Sequence, residues 1–269
     1  MTANEKNTLA SFLDRAGDYL KDGHLHTHIT PTFEDDAQHQ AASVTVPFTT
    51  GLSSLPLAYQ MDEDDITSAE DTAGSIETTD ELAELINTCT ACALADTRTN
   101  TVPGEGVLHP EVLVIGEGPG ADEDQTGKPF VGRAGQLLDK MLAAIALSRT
   151  ENCFIANVVK CRPPGNRNPA PDEIAACLPY LHRQIALLKP RLILCAGRFA
   201  AQSILNTSQG INALRGSFGE YTVRSENDPE YTIPVLCTFH PSAILRDDSL
   251  KRPAWEDLKL LKSRLDETK

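Results

Sequence analysis

The feature that most constrains the fold of this chain is a series of four short apolar runs separated by segments of helical periodicity. The runs are residues 112–115, 154–159, 192–195 and 235–239, and the helical segments are residues 134–147, 171–188, 198–205 and 254–265. Apolar strands need cover on both faces, and strands that alternate with helices are typical of parallel sheets. The pattern predicts an α/β fold, with a central parallel four-stranded sheet flanked by helices on both faces.

Charge divides the chain into two regions. The net charge is −14, and residues 1–80 alone carry 15 acidic and 3 basic side chains. Low hydrophobicity with high net charge is typical of disorder. We predict that residues 1–78 form an acidic, largely disordered N-terminal arm with a short helix near residues 8–21, and that residues 79–269 form one folded domain. Because this domain is nearly neutral, it has room for a basic patch, and a nucleic-acid partner is not excluded.

Cysteine usage indicates a metal site. The sequence shows no secretory leader and no apolar run of membrane-spanning length, which favours a soluble, cytoplasmic protein. Cysteines in a reducing compartment favour metal ligation over disulfides. The pairs Cys89-x2-Cys92 and Cys161-x15-Cys177 supply four thiols for either a zinc ion or an iron–sulfur cluster. We interpret the remaining cysteines as core residues: Cys153, Cys195 and Cys237.

Glycine-rich and polar residues lie where the predicted strands end. A loop of residues 116–120 follows the first strand, Asn157 lies near the end of the second, and His240 directly follows the fourth. Ligands bind at the carboxyl ends of strands in such sheets, so we expect these segments to meet in one pocket. The loop matches a dinucleotide-binding fingerprint only weakly, because Pro119 removes a backbone donor where a phosphate needs one.

Each pocket residue suits a flat polar ring, but each also has a purely structural interpretation. Phe130 offers a stacking face for a base, or it anchors the next helix. Asn157 presents a donor and an acceptor together, as a pyrimidine edge requires, or it is satisfied by a neighbouring loop. A neutral His240 donates to an oxygen that becomes negative in a transition state, or it lies at the surface. The residues alone leave these alternatives open.

Four segments together resemble a known family: GEGPG at 116–120, PFVGRAG at 129–135, NVVKCRPP at 157–164 and HPS at 240–242. With these segments in order and the four paired cysteines at the family's positions, residues 80–266 strongly resemble family 4 uracil-DNA glycosylases, the iron–sulfur class of bacteria and archaea. The resemblance implies a monofunctional hydrolase of base excision repair. Such an enzyme flips uracil out of DNA, hydrolyses its N-glycosidic bond and leaves an abasic site.

The resemblance also implies roles for individual residues. The four paired cysteines hold a [4Fe-4S] cluster with a structural role. Phe130 stacks on uracil, Asn157 reads the pyrimidine edge, and His240 binds the carbonyl oxygen beside the scissile bond. Backbone of the glycine-rich loop contacts the base, at Glu117, Gly118 and Pro119.

The catalytic carboxylate is less well defined. Relatives outside the family place a water-orienting Asp where this chain has Gly118, and members of the family often have Ala there. Glu117 and Glu123 are therefore both candidates to act beside His240. A variant of the family that traps its product covalently carries a basic insertion after the second strand. Residues 161–169 run directly into a helix without that insertion, which predicts hydrolytic turnover.

We expect DNA-backbone contacts from basic residues near the pocket face: Arg162, Arg167, Arg246, Lys251 and Arg252. The acidic arm is a candidate site for a repair or replication partner, and we expect a monomer with no membrane association. Two rival functions stay open. One is a non-catalytic uracil-DNA or partner-binding module with a structural metal cluster, and the other is a zinc-stabilised nucleotide-binding protein.

Overall fold

The structure of the protein is a computed structural model that describes residues 76–223 and 230–267. The predicted N-terminal arm, residues 1–78, lies outside the described residues except for its last three positions. The helix predicted near residues 8–21 lies outside them entirely. Both therefore stay predictions, and the folded domain is described alone.

The described residues form six strands and eight α-helices in an alternating order. The strands are β1 Glu105–Gly106, β2 Val112–Gly116, β3 Cys153–Asn157, β4 Leu192–Ala196, β5 Phe218–Val223 and β6 Tyr231–Thr238. The helices are α1 Thr79–Thr88, α2 Ala121–Thr126, α3 Arg133–Ala143, α4 Pro171–Leu188, α5 Arg198–Leu205, α6 Ile211–Leu214, α7 Pro241–Arg246 and α8 Lys251–Glu267. Short 3-10 turns occur at Ala93–Asp96, Pro164–Asn166 and Asp248–Leu250.

One sheet contains all six strands in the order β1-β3-β2-β4-β6-β5. The four central strands are parallel, which confirms the predicted parallel core of an α/β fold. The two outer strands, β1 and β5, pair antiparallel with their neighbours and were not predicted. β1 has only two residues, too few for any periodic pattern. β5 is only partly buried and its sequence, FGEYTV, has no continuous apolar run.

The central strands are apolar throughout because helices cover both faces of the sheet. Val112 and Val114 face a core built with α3 and α8, which contains Leu138 and Leu261. The intervening residues of β2 face a second core built with α1, α4 and α5. Successive side chains of a strand point to opposite faces, so one apolar run supplies both cores. Each fully buried leucine contributes about 1.5–3 kcal/mol of transfer free energy.

Two helices place one cysteine of each pair. α1 begins with a capping box, in which Thr78 Oγ1 accepts the Glu81 N–H at 3.2 Å and Glu81 Oε2 accepts the Thr78 N–H at 3.2 Å. It ends directly before Cys89. α4 begins with Pro171, whose missing N–H is not needed in a first turn, and carries Cys177 on its buried side.

Strand order also fixes where a ligand binds. β2 is followed along the chain by β3 on one side and later by β4 on the other. The connections therefore diverge between β2 and β4, and the carboxyl ends of these strands border the crevice in which open α/β sheets bind ligands. In the part of the chain that the structure describes, each helix is too short or too polar to cross a bilayer.

Candidate active site

The predicted pocket residues do meet at the carboxyl edge of the sheet. Gly116 ends β2 and Asn157 ends β3 as its register partner. A methyl group at Gly116 would overlap both the ring of Phe130 and the side-chain oxygen of Asn157, so only glycine permits this approach. The rings of Phe130 and His240 have centroids 5.6 Å apart and are tilted by 32°. Glycine, amide, aromatic ring and imidazole thus surround one site.

Asn157 is the most unusual of these groups. Its side chain is 1% exposed, and among the described residues neither its amide nitrogen nor its oxygen has a hydrogen-bond partner. A buried polar group without a partner costs about 1–3 kcal/mol, and native folds rarely retain one without a reason. The arrangement is that expected of a group whose partner is a ligand.

His240 is held as a neutral donor. Its Nδ1 accepts the Ser242 N–H at 3.1 Å and lies 2.8 Å from the Ser242 hydroxyl. An acceptor nitrogen carries no proton, so this hydrogen bond assigns the proton to Nε2. Burial and, to a lesser extent, the charge of Arg246 lower the pKa of His240 to about 4, against the opposing charge of Glu123. At neutral pH the imidazole therefore presents an uncharged N–H group.

The two candidate carboxylates are placed very differently. Burial raises the pKa of Glu117, and the charge of Arg198 acts in the opposite direction. Glu123 instead binds backbone with both oxygens: Oε2 accepts the Gly120 N–H at 3.0 Å, and Oε1 accepts the N–H groups of Val131 and Gly132 at 2.9 Å each. These bonds join the glycine-rich loop to the loop that carries Phe130.

The glycine-rich loop is also tied to the chain that follows β3. Val158 N–H donates to the Gly116 carbonyl at 3.0 Å, and Val159 N–H donates to the Glu117 carbonyl at 3.1 Å. Gly118 lies against Val159, since an added methyl would stand 2.7 Å from its Cγ2. Pro119 is buried. The backbone expected to contact a base is therefore fixed before any ligand arrives.

A second constellation lies beside this pocket. The paired cysteines Cys89, Cys92, Cys161 and Cys177 line one small cavity, together with Ala91 and Tyr180. Within residues 76–223 and 230–267, no three His, Cys, Asp or Glu side chains are close enough to hold a single metal ion. The four sulfurs instead surround the cavity, which we call the cysteine cavity.

Hydrogen bonds point at the sulfurs of the cysteine cavity. Arg98 Nη1 donates to Cys161 Sγ at 3.1 Å, and the Lys160 N–H donates to Cys177 Sγ at 3.2 Å. The Ala91 N–H lies 3.5 Å from Cys89 Sγ. Donors of this kind favour thiolates, the form in which cysteine binds metal. The donor set therefore fits a metal group held by four thiolates.

Comparison with known proteins decides the family. The model of the uracil DNA glycosylase superfamily matches residues 103–259, more than half of the chain. The chain belongs to the uracil DNA glycosylase superfamily. Type-4 uracil-DNA glycosylases of Archaeoglobus fulgidus and Thermotoga maritima are 41% and 42% identical to it over 188 and 185 residues, which are 68% of this chain and 92% of each relative. The type-4 uracil-DNA glycosylase of Pyrobaculum aerophilum is 40% identical over 181 residues, 66% of this chain and 89% of that relative.

These relatives confirm the resemblance to family 4 uracil-DNA glycosylases that the motifs predicted. The superfamily match lies within residues 80–266, the region in which the sequence placed the resemblance. The roles of individual residues in this superfamily member rest on the geometry described above.

The basic residues expected to contact DNA in this glycosylase-superfamily domain fall into two groups. Arg167 is committed to Glu173, with Nη2 at 2.5 Å from Oε1 and Nη1 at 2.8 Å from Oε2. Lys251 pairs with Asp248 at 3.4 Å. By contrast, Arg246 is exposed near the catalytic candidate His240. Arg162 is partly buried with its Nε on Asn166, and Arg252 is exposed.

Sequence reasoning missed several residues that shape this uracil DNA glycosylase superfamily site. Arg198, whose charge acts on Glu117, is the first residue of α5, and Arg149, which binds the backbone at Pro129 and Phe130, lies in the loop before β3. Nothing in the local sequence pattern connects either arginine to the pocket. Lys160 is 1% exposed and binds the Asn157 carbonyl at 2.8 Å. Its signal was visible, because a lysine between Val159 and Cys161 interrupts an otherwise apolar segment.

Proposed function

We propose that the protein is a monofunctional uracil-DNA glycosylase of base excision repair, which hydrolyses the N-glycosidic bond of uracil in DNA and leaves an abasic site. The observation that carries the proposal is the buried amide of Asn157, which has no hydrogen-bond partner within residues 76–223 and 230–267 and lies in the same site as the rings of Phe130 and His240. Uracil offers an N–H donor and carbonyl acceptors on one edge, which an amide matches. The similarity to type-4 uracil-DNA glycosylases supports the same substrate.

Recognition requires that the base leave the duplex. Uracil flipped from the stack enters the pocket between Phe130 and the glycine-rich loop, where the backbone of Glu117, Gly118 and Pro119 contacts it. Weakly paired bases cost the least to extrude, which favours mispaired uracil. Stacking on an aromatic ring adds about 1–3 kcal/mol per base.

The bond that breaks joins the sugar C1′ to uracil N1, and its electron pair leaves with the base. His240 Nε2–H donates a hydrogen bond to the uracil carbonyl oxygen beside that bond, where negative charge develops. A pre-organised donor of this kind is worth about 10²–10³ in rate. The imidazole needs no proton transfer for this role, since its pKa of about 4 keeps it neutral.

Water then attacks the sugar cation at C1′ and loses a proton. Of the two candidate carboxylates, Glu117 is the better base, because both oxygens of Glu123 are occupied by three backbone N–H groups. We assign Glu117 to orient the water and Glu123 to hold the two pocket loops together.

The cysteine cavity completes the proposal. Cys89, Cys92, Cys161 and Cys177 would hold a [4Fe-4S] cluster, which supplies a structural tie between the segment before β1, the chain after β3 and α4. Thiolate sulfurs lie only about 2.3 Å from a single zinc ion, and among the described residues no three of these side chains are close enough to hold one metal ion. This favours the cluster over the zinc alternative.

We infer that DNA-backbone contacts come from Arg162, Arg246, Lys251 and Arg252, above all from the exposed Arg246, whose charge acts on His240. Arg167 contributes less, because Glu173 already neutralises it. Phosphate contacts of this kind set orientation and salt dependence but carry no base specificity. The acidic arm remains our proposed contact for a repair or replication partner.

The experiment that tests the function uses anaerobically purified protein and an oligonucleotide with a single uracil. Release of free uracil, followed by strand cleavage in alkali, is the expected result for the wild type. His240→Ala and Phe130→Ala are expected to lose most of this activity. Binding of the uracil oligonucleotide without release of base would reject the glycosylase and support the non-catalytic binding module.

A further inference from the structure

The backbone that carries Phe130 adopts an unfavourable conformation. Phe130 has φ = 52°, in the left-handed region that bulky residues rarely enter. Its ring is 5% exposed, so the side chain cannot relax into solvent. Backbone strain of this kind persists only where the surroundings impose it, and it is common at ligand sites. Something in the fold must therefore hold this segment.

Arg149 holds the carbonyl side of the segment. Its guanidinium donates from Nη1 to the Pro129 carbonyl at 2.8 Å and from Nη2 to the Phe130 carbonyl at 2.9 Å. Two carboxylates fix the guanidinium in turn: Glu105 lies 3.0 Å from Nη1 and Asp139 lies 2.8 Å from Nη2. The Arg149 side chain is only 15% exposed, so water competes weakly for these bonds.

The opposite side of the segment is held by the carboxylate of Glu123. It accepts the N–H groups of Val131 and Gly132, the two residues that follow Phe130. A guanidinium therefore binds two successive carbonyls and a carboxylate binds the next two N–H groups. Gly135 allows α3 to approach this clamp, since a methyl there would overlap the Phe130 carbonyl.

We propose that Arg149 is a positioning residue for base excision: it fixes the left-handed backbone at Phe130 and thereby the ring on which the base stacks. The proposal rests on the proposed function, because it assigns the ring to the extruded base. Lysine cannot replace the arginine, since an ammonium is a point charge and lacks the planar fork that binds two carbonyls at once. Arg149 itself is not assigned a contact with substrate.

The test compares Arg149→Gln and Arg149→Lys with wild type and with Arg191→Gln. Arg191 is the matched control, because it also binds a carboxylate and a backbone carbonyl, Glu111 at 3.7 Å and Leu265 at 3.3 Å, but precedes β4 at the opposite edge of the sheet. Three quantities are measured: the single-turnover rate of uracil release, the inhibition constant of free uracil, and the affinity for DNA with an abasic site.

Both Arg149 variants are expected to release uracil about 10- to 100-fold more slowly, as displaced reacting groups do. Free uracil should inhibit them about tenfold more weakly, while affinity for abasic DNA stays within about twofold of wild type. Arg191→Gln should match wild type in all three. If Arg149→Gln fails to fold, Arg149→Lys alone tests the inference, because it keeps the positive charge but lacks the planar fork.

Two results would overturn the inference. One is an unchanged rate and unchanged uracil inhibition in both Arg149 variants. The other is an equal loss in Arg191→Gln, or a loss of abasic-DNA affinity as large as the loss of rate, either of which indicates general destabilisation. A wild-type protein that releases no uracil would reject the proposed function first, so the two failures are distinguishable.

Discussion

The base pocket and the cysteine cavity are connected by residues 157–161 but differ in how their polar groups are hydrogen-bonded. In the pocket the His240 ring is held by the Ser242 N–H, while the Asn157 amide has no hydrogen-bond partner among the residues that the structure describes. In the cavity the sulfurs receive hydrogen bonds from Arg98 and from backbone. The pocket is pre-formed for a ligand that comes and goes, whereas the cavity suits a group that stays. Activity should therefore depend on the first and stability on the second.

Lys160 joins these two regions. Its Nζ donates to the Asn157 carbonyl at 2.8 Å and to Gln184 Oε1 at 2.6 Å, while its own backbone N–H binds Cys177 Sγ. The same five residues, 157–161, begin in the pocket and end at Cys161. Disturbance of the cavity will reach the pocket through this segment, but a change in the pocket side chains need not disturb the cavity.

The largest effect is expected from the cavity. Cys177→Ala removes one of four proposed ligands and should lower Tm by more than about 10 °C, which corresponds to a loss of about 4 kcal/mol in a domain of this size. Cys153→Ala is the matched control, because Cys153 is also buried but is not among the residues that line the cavity. It should lower Tm by only a few degrees, about 1–2 kcal/mol. Calorimetry measures the Tm of both variants. If the two Tm values fell equally, the cavity cysteines would contribute no more to stability than a core cysteine.

The pocket should respond in the opposite way. His240→Ala removes the proposed donor and should slow uracil release by about 10²–10³, or about 2.7–4 kcal/mol, with little change in Tm. His182→Ala is the control, since burial also lowers the pKa of His182 to about 4 but its ring binds Tyr221 away from the pocket. Single-turnover kinetics and melting curves measure both. A rate loss in His182→Ala as large as that in His240→Ala would contradict the assignment.

A substitution of Asn157 should change activity and stability in opposite directions. Asn157→Leu removes a buried amide without partners and should stabilise the ligand-free protein by about 1 kcal/mol, while it lowers uracil release by at least about tenfold. In Gln184→Leu the lost amide has partners, Lys160 and the Pro103 carbonyl. That variant should lose about 1–3 kcal/mol. Denaturation of both variants in parallel gives the sign of each change in the free energy of unfolding. Destabilisation by Asn157→Leu would mean that the amide has a structural partner.

Sequence patterns predicted the parallel core because it depends on local apolar runs such as residues 112–115, which follow from burial on both faces. They also identified Asn157 and His240 as candidate pocket residues, since a polar residue at the end of an apolar run can be recognised from the sequence alone. They missed β1, because its two residues form a strand by pairing with β3 and not through a pattern in their own sequence. They missed Arg149 for the same reason, because its partners at Pro129 and Phe130 lie about twenty residues away along the chain.

The smallest expected effect is a change in the pH dependence of kcat. It distinguishes the roles of the two ionisable pocket groups, Glu117 and His240. Burial raises the pKa of Glu117 above its ordinary 4.5 against the opposing charge of Arg198, whereas the pKa of His240, which faces Arg246 and Glu123, is about 4. If ionised Glu117 orients the water, kcat should fall as the pH drops through the raised pKa of Glu117, before His240 titrates. Glu117→Gln should abolish this acid limb and leave a low, pH-independent rate. Asp122→Asn, which removes an exposed carboxylate nearby, should keep the limb. A limb that survives in Glu117→Gln would transfer the role to another group and leave the pocket with His240 as its only identified catalytic group.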